Sequence, residues 1–113
     1  MLTPGRNIAI KVPTYRWDET LAFYRDRAGL TVLQSSDTSV AFQFGEMILW
    51  IDRVDTQSQS DVWLELFCDD EDPADALKQL DSPRRDELEP LGDVNGVWTS
   101  DPAGTVLLIR KDE

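Results

Sequence analysis

The order of predicted elements repeats once along the chain, and this repeat constrains the fold more than any other feature. Alternating apolar residues predict a strand over 6–13, and spacings of three and four from Trp17 to Ala28 predict a helix that ends near Gly29. Three further strands are predicted before the polar connector at 55–60: 30–34, 39–44 and 47–54. The same strand–helix–strand–strand–strand order then returns, with elements at 61–67, 69–80, 87–91, 95–100 and 105–111.

Each copy predicts a sheet with one face beneath a helix and the other face uncovered. Two such units must join, or their open faces must curve around something. We expect an α+β fold in which two βαβββ modules form a curved mixed sheet around a concave cup, with the helices on the outer face. The 113 residues suit a single domain, with module one at 1–54, a linker at 55–60 and module two at 61–113.

The two faces of the strand DVWLELF at 61–67 differ in chemistry. One face is apolar, and we expect it to lie beneath the helix at 69–80: Val62, Leu64 and Leu66. The other face mixes two aromatic rings with two acids: Asp61, Trp63, Glu65 and Phe67. This mixture suits neither bulk water nor a dry interior, so we expect it to line the cup.

Charge and histidine content exclude whole classes of function. Net charge is -11, from 11 basic and 22 acidic residues, which repels phosphate backbones and argues against nucleic-acid binding. The same charge favours a cationic ligand, or it serves only to keep the protein in solution. The chain has no histidine, which removes His-based triads and His-containing metal sites.

Cysteine content and hydropathy predict a cytoplasmic protein. Cys68 is the one cysteine, so no internal disulfide forms, which is typical of a reducing compartment. The longest apolar run, MILWI, is far short of the ~20 residues that cross a bilayer, and MLTPGRN has no signal-peptide core. We expect no membrane partner.

Two motifs resemble the vicinal oxygen chelate superfamily, which includes glyoxalase I, extradiol dioxygenases and the bleomycin-resistance proteins. In NIAIKVPTYRWDETLAFYRDRAGLTVL, Phe23-Tyr24 and Gly29-Leu30 lie where the family's opening motif has them. The stretch DPAGTVLLI resembles the family's closing turn and last strand. The resemblance implies paired modules around a cavity, which in the enzymes holds a divalent metal.

The residues at the family's ligand positions do not supply a metal site. Asn7 stands at the first position, Leu49-Trp50 near the second, Asp61 at the third and Leu108 at the fourth. One carboxylate and one amide remain, whereas a catalytic metal needs about three protein ligands. We therefore expect no metal and no cofactor.

The resemblance then implies a metal-free small-molecule-binding protein, similar to the bleomycin-resistance proteins, that sequesters a cationic or aromatic ligand and forms a homodimer. The candidate ligand-binding residues are those expected to line the cup: Asn7, Lys11, Trp50, Asp61, Trp63, Glu65, Phe67, Leu108 and Arg110.

Three alternatives stay open. Trp50 and Trp63 are equally well explained by core packing, and Glu65 by a cross-strand ion pair with Lys11 or Arg110. The chain is alternatively a divergent lyase or isomerase with Glu65 as general base and Tyr15 or Tyr24 as acid. The third alternative is a purely structural dimerisation module.

Overall fold

The computed structural model describes residues 2–112, and their backbone divides into two compact units. The first unit comprises residues 6–62, and the second comprises residues 2–5 together with 63–112. In chain order the elements are β1 (Leu2–Pro4), β2 (Asn7–Pro13), α1 (Thr14–Ala22), β3 (Val32–Ser35), β4 (Ser39–Phe44), β5 (Met47–Val54), β6 (Asp61–Cys68), α2 (Ala76–Leu80), β7 (Gly96–Ser100) and β8 (Val106–Lys111). The predicted α+β class is confirmed.

In the first unit the strands follow the order β3-β4-β5-β2. β2 runs parallel to β5, and the other two pairs are antiparallel. Helix α1 packs on one sheet face because its apolar side chains recur on one side. The buried cluster beneath it contains Val12, Leu21, Val40, Phe42, Leu49 and Ile51.

The first helix changes geometry before it ends. Residues Phe23–Arg27 form a π-helical turn, and the Leu30 amide donates to the Tyr24 carbonyl at 3.0 Å. Gly29 has φ +76°, a conformation that side chains disfavour, so the predicted end of the helix at this glycine is confirmed.

In the second unit the strands follow the order β1-β6-β8-β7, with β6 parallel to β8 and the other pairs antiparallel. The helical segment begins at Pro73 rather than at residue 69. Asp72 Oδ1 accepts a hydrogen bond from the Ala74 amide at 3.1 Å, which caps this first turn. Helix α2 follows directly and buries Ala76 and Leu77 against a cluster that includes Cys68, Val97 and Ile109.

The prediction of a strand at 87–91 is wrong. This segment is a turn and irregular chain, and the Leu88 amide donates back to the Arg85 carbonyl at 3.4 Å. One backbone hydrogen bond, from the Arg85 amide to the Trp98 carbonyl, ties the chain just before it to β7. Pro90 has no N–H to extend a ladder.

The prediction that Val62 and Leu64 lie beneath the second helix is also wrong. Val62 is 43% exposed and Leu64 is 38% exposed, whereas Leu66 packs against the α2 cluster. Helix α2 has five residues and is about 7.5 Å long, so it covers only one end of β6.

Among residues 2–112, no helix is both long enough and apolar enough to cross a bilayer.

Candidate functional site

In the first unit, the sheet face opposite α1 carries a hydrogen bond between two predicted site residues. The Trp50 indole Nε1–H donates to Asn7 Oδ1 at 2.7 Å. The strand register places Trp50 beside Ala9, two residues along β2, so the indole reaches back along the neighbouring strand. The amide oxygen of Asn7 thus already has an internal donor.

A buried ion pair lies further along the same face. Lys11 is 5% exposed, and its Nζ lies 2.8 Å from Asp52 Oδ2. The other carboxylate oxygen of Asp52 accepts from Ser39 Oγ at 2.5 Å. Register pairs Asp52 with both residues, so the three side chains form a row across β2, β5 and β4. A buried ammonium requires such a partner, because leaving it unpaired is costly.

In the second unit, the face opposite α2 has a comparable row across β6, β8 and β7. Glu65 lies beside Leu108, and Leu108 lies beside Trp98. The rings of Trp63 and Trp98 meet edge to face, with centroids 5.0 Å apart and planes at 69°. Trp98 donates its indole N–H to the Glu89 carbonyl at 2.9 Å.

Arg110 links an acid and an aromatic ring on that face. Its Nη1 lies 3.6 Å from Glu65 Oε2, and its guanidinium carbon lies 5.6 Å from the centroid of the Phe67 ring. The Glu65 side chain is 4% exposed, against 29% for Arg110. The arginine therefore occupies the kind of position, between a carboxylate and an aromatic face, that suits an organic cation.

Gly5 lies directly against Glu65, a contact that the sequence did not predict. The Gly5 amide donates to the Glu65 carbonyl at 3.0 Å, just past the end of β1. A Cβ at this position would come within 2.5 Å of both Cγ and Oε1 of Glu65. The missing side chain lets the backbone cover the buried carboxyl.

The predicted site residues fall into two groups, each within one unit. The first unit holds Asn7, Lys11, Trp50 and Asp61, and the second holds Trp63, Glu65, Phe67, Leu108 and Arg110. Trp63 and Phe67 are buried, Trp50, Leu108 and Arg110 are half-buried, and Asp61 is exposed. Of the two partners that the sequence offered for Glu65, Arg110 lies within ion-pair distance.

The residues at the family's ligand positions do not fit a divalent metal. Asn7 Oδ1 already accepts from Trp50, whose indole is only a donor, and Leu108 supplies no ligand atom. Throughout residues 2–112, no three acidic or cysteine side chains come together in an arrangement that holds a metal ion. We therefore assign no chemistry to a metal here.

Cys68 does not provide a nucleophile. Its side chain is buried, and Sγ lies 4.0 Å from the Asp70 carbonyl oxygen, to which it donates. Burial raises the pKa of this thiol, so the reactive thiolate is disfavoured at neutral pH.

These two units define an α+β protein with the fold of the vicinal oxygen chelate superfamily, and solved structures confirm that resemblance at the level of the fold. No protein-family model matches the sequence, and no curated protein matches it.

Three solved structures show this likeness over nearly the whole chain. A Mn(II)-bound glyoxalase from Novosphingobium aromaticivorans has a TM-score of 0.69 at 17% identity, over 98% of this chain and 39% of the glyoxalase. A hypothetical protein from Bacillus halodurans has a TM-score of 0.70 at 10% identity, over 99% and 95%. Methylmalonyl-CoA epimerase from Mycobacterium tuberculosis has a TM-score of 0.66 at 11% identity, over 97% and 88%. The chain thus spans well under two thirds of the glyoxalase.

Proposed function

We propose that this protein binds a small organic molecule without a metal centre. The observation that carries the proposal is the arrangement of Glu65, Phe67 and Arg110 on the face opposite α2. There a nearly buried carboxylate and an aromatic ring hold a cation, the guanidinium of Arg110, that is itself partly exposed. A few placed polar groups among apolar side chains are the usual make-up of a ligand site.

The arrangement supports a flat, cationic ligand that takes the place of the Arg110 side chain. Such a ligand would stack on Phe67 and lie near Glu65, and both contacts favour a cation in low-dielectric surroundings. The net charge of -11 favours the approach of cations. Trp63 is buried against Trp98, so we assign its indole to packing beside the ligand site.

The test is a pair of charge variants with opposite expected effects. If the ligand displaces Arg110, Arg110→Gln removes an internal competitor and should raise affinity for the flat cation ethidium. Glu65→Gln should lower that affinity by about fivefold to thirtyfold, the worth of one partly desolvated cation contact. Binding is followed by ethidium fluorescence, with anilinonaphthalene sulfonate as the anionic counterpart.

A matched control is Arg84→Gln, which removes an equal charge from an exposed ion pair with Asp86. It should change ethidium affinity only slightly, because Arg84 is exposed. Added salt should remove that change, because salt screens the interaction between exposed charges. Weaker ethidium binding in Arg110→Gln would contradict displacement. Tighter binding of the sulfonate than of ethidium to the unmodified protein would contradict a cationic ligand.

An enzyme is the second candidate, because proteins named as a glyoxalase and an epimerase share this fold. Fold alone is a weak guide to chemistry. In this alternative Glu65 is a general base of a metal-independent lyase or isomerase. Turnover that is abolished by Glu65→Gln, while the thermal melt is unchanged, would favour catalysis over simple binding.

We further propose a homodimer in the cytoplasm. Large apolar side chains that include Phe23, Leu33 and Phe44 are about half exposed, and covering them in a self-complementary contact would reduce that exposure. The single buried thiol suits a reducing compartment. If the protein binds no small molecule, dimerisation itself is the remaining role.

A further inference from the structure

A second candidate site lies in the first unit, on the sheet face that carries α1, between α1 and the β3–β4 hairpin. It is a cavity of ≈ 620 Å³ whose lining includes Trp17, Arg53, Asp18, Asp37 and Ser35. None of these belongs to the candidate ligand-binding residues described above.

Two residues that line this cavity each carry a hydrogen-bond donor with no acceptor among residues 2–112. The donors are Nε1 of Trp17 and Nε of Arg53, and both atoms are buried. The guanidinium carbon of Arg53 lies 5.6 Å from the centroid of the Trp17 ring, so the two side chains stack. Buried donors are rarely left unpaired in native proteins, and a group of them marks a place for an acceptor.

The charges around the cavity restrict what that acceptor can be. Arg25 also lines it, but its guanidinium is bound to both carboxylate oxygens of Asp26, at 2.9 and 3.1 Å. Arg53 has no carboxylate partner in the described part of the chain. Asp18 and Asp37 are exposed carboxylates on the rim. A simple anion would be attracted by Arg53 and repelled by both acids.

We propose that this cavity binds a small zwitterion, such as a free amino acid. Its carboxylate would bind the Nε edge of Arg53 and the indole N–H of Trp17, since the guanidinium fork matches planar carboxylates. Its cationic group would lie toward Asp18 and Asp37. Arg53 is partly exposed, so a modest rotation of its side chain opens the Nε edge to the ligand.

The experiment uses NMR of the four tryptophan indole N–H groups in the whole chain. Trp17→Phe assigns the Trp17 signal by its disappearance. Titration with L-alanine should move that signal with saturation, and leave the other three in place. Acetate alone and methylammonium alone should each bind at least about tenfold more weakly, because each lacks one of the two charges.

Two variants test the role of Arg53. Arg53→Gln should abolish the L-alanine effect, and Arg53→Lys should weaken it by about tenfold, because lysine keeps the charge but loses the planar fork. Arg84→Gln changes a residue that does not line this cavity, so it is the control and should bind as the unmodified protein does. Thermal melts establish that each variant is folded.

Other outcomes would overturn the proposal. A Trp17 signal that stays still at saturating L-alanine excludes a site at these donors. Equal binding of acetate and L-alanine excludes a role for the acids. An unchanged response in Arg53→Gln excludes the guanidinium as the carboxylate ligand.

Discussion

Gly5→Ala should destabilise the protein through one identifiable contact, the one with Glu65. An added Cβ would lie 2.5 Å from Cγ, 2.5 Å from Oε1 and 2.8 Å from Cβ of Glu65. Ordinary contacts between carbon atoms are ~3.5–4.0 Å, so the overlap is about 1 Å. The strands cannot separate freely, because the Gly5 amide is bonded to the Glu65 carbonyl at 3.0 Å.

The sign of the change in the free energy of unfolding distinguishes a clash with Glu65 from an effect of the backbone. Gly5 does not have a positive φ, so alanine fits its backbone. Without a clash, the substitution would stabilise the fold by about 0.4–1 kcal/mol, because the unfolded chain loses freedom. With the clash, overpacking should cost about 1–3 kcal/mol. The melting temperature should then fall by roughly 5–15 °C for a domain of this size.

The assay is a double-mutant cycle with Glu65→Ala, measured by chemical denaturation and thermal melts. Glu65→Ala removes two of the three atoms that the added methyl group would meet and leaves only the Cβ. The cost of Gly5→Ala should therefore fall by more than half in the Glu65→Ala background, a coupling of about 0.5–2 kcal/mol. A stabilising Gly5→Ala, or an equal cost in both backgrounds, would refute the contact as the cause.

Further predictions concern the core, the thiol, metal content and assembly. Leu64→Ala should lower the free energy of unfolding by only about 1 kcal/mol, because the side chain is 38% exposed. Ile109 is fully buried, so Ile109→Ala should lower it by about 2–5 kcal/mol. Equal losses for the two variants in urea titrations would contradict this difference. Cys68 should resist iodoacetamide at pH 7–8 in the folded protein and react once urea unfolds it. Elemental analysis should find no stoichiometric transition metal, and about one tightly held metal per chain would refute this. Light scattering at micromolar concentration should give twice the 12.8 kDa chain mass, and a monomer would contradict the dimer.

Local chemistry in the sequence predicted most of the first unit. Alternation predicted β4 and β5 to the residue, because β2, β4 and β5 each have one face beneath α1. Gly29 marked the end of the first helix because a positive φ is a local requirement. These features depend on residues close in the chain, which is why pattern and turn chemistry are sufficient.

Two predictions for the second half of the chain are wrong because contacts with other segments decide the outcome. The apolar residues Val62 and Leu64 predicted cover by a helix, but α2 has only five residues and leaves them exposed. The segment at 87–91 is irregular chain because Pro90 has no N–H for a ladder and the Trp98 indole donates to the Glu89 carbonyl. The length of α2 and the position of the Trp98 indole are not encoded within the segments that they affect.

The surroundings of Glu65 show the same limit of prediction from local sequence. Sequence register placed Glu65 and Phe67 on one face, and that face holds both. It did not predict that Gly5 would cover Glu65, because a glycine far from β6 in the chain gives no signal of what it will approach.

Ion pairing also changes what the charged residues can offer to a ligand. Lys11 is paired with Asp52 and Glu65 with Arg110, so neither charge reaches a ligand without breaking an internal interaction.

The two ion pairs differ in how readily they break. Lys11 and Asp52 lie 2.8 Å apart with both side chains largely buried, and Asp52 also holds Ser39. Arg110 lies 3.6 Å from Glu65 and is the more exposed of the two cations. Exchange of a ligand for an internal partner is therefore more favourable at Arg110, and Lys11 is expected to stabilise the fold. Accordingly, Lys11→Met should lower the free energy of unfolding by about 3–5 kcal/mol, because it removes a buried 2.8 Å ion pair and leaves no donor in its place. Arg110→Gln should lower it less, because the contact is longer, at 3.6 Å, and glutamine keeps an N–H donor. The reverse order in urea titrations would assign the exchangeable position to Lys11 instead.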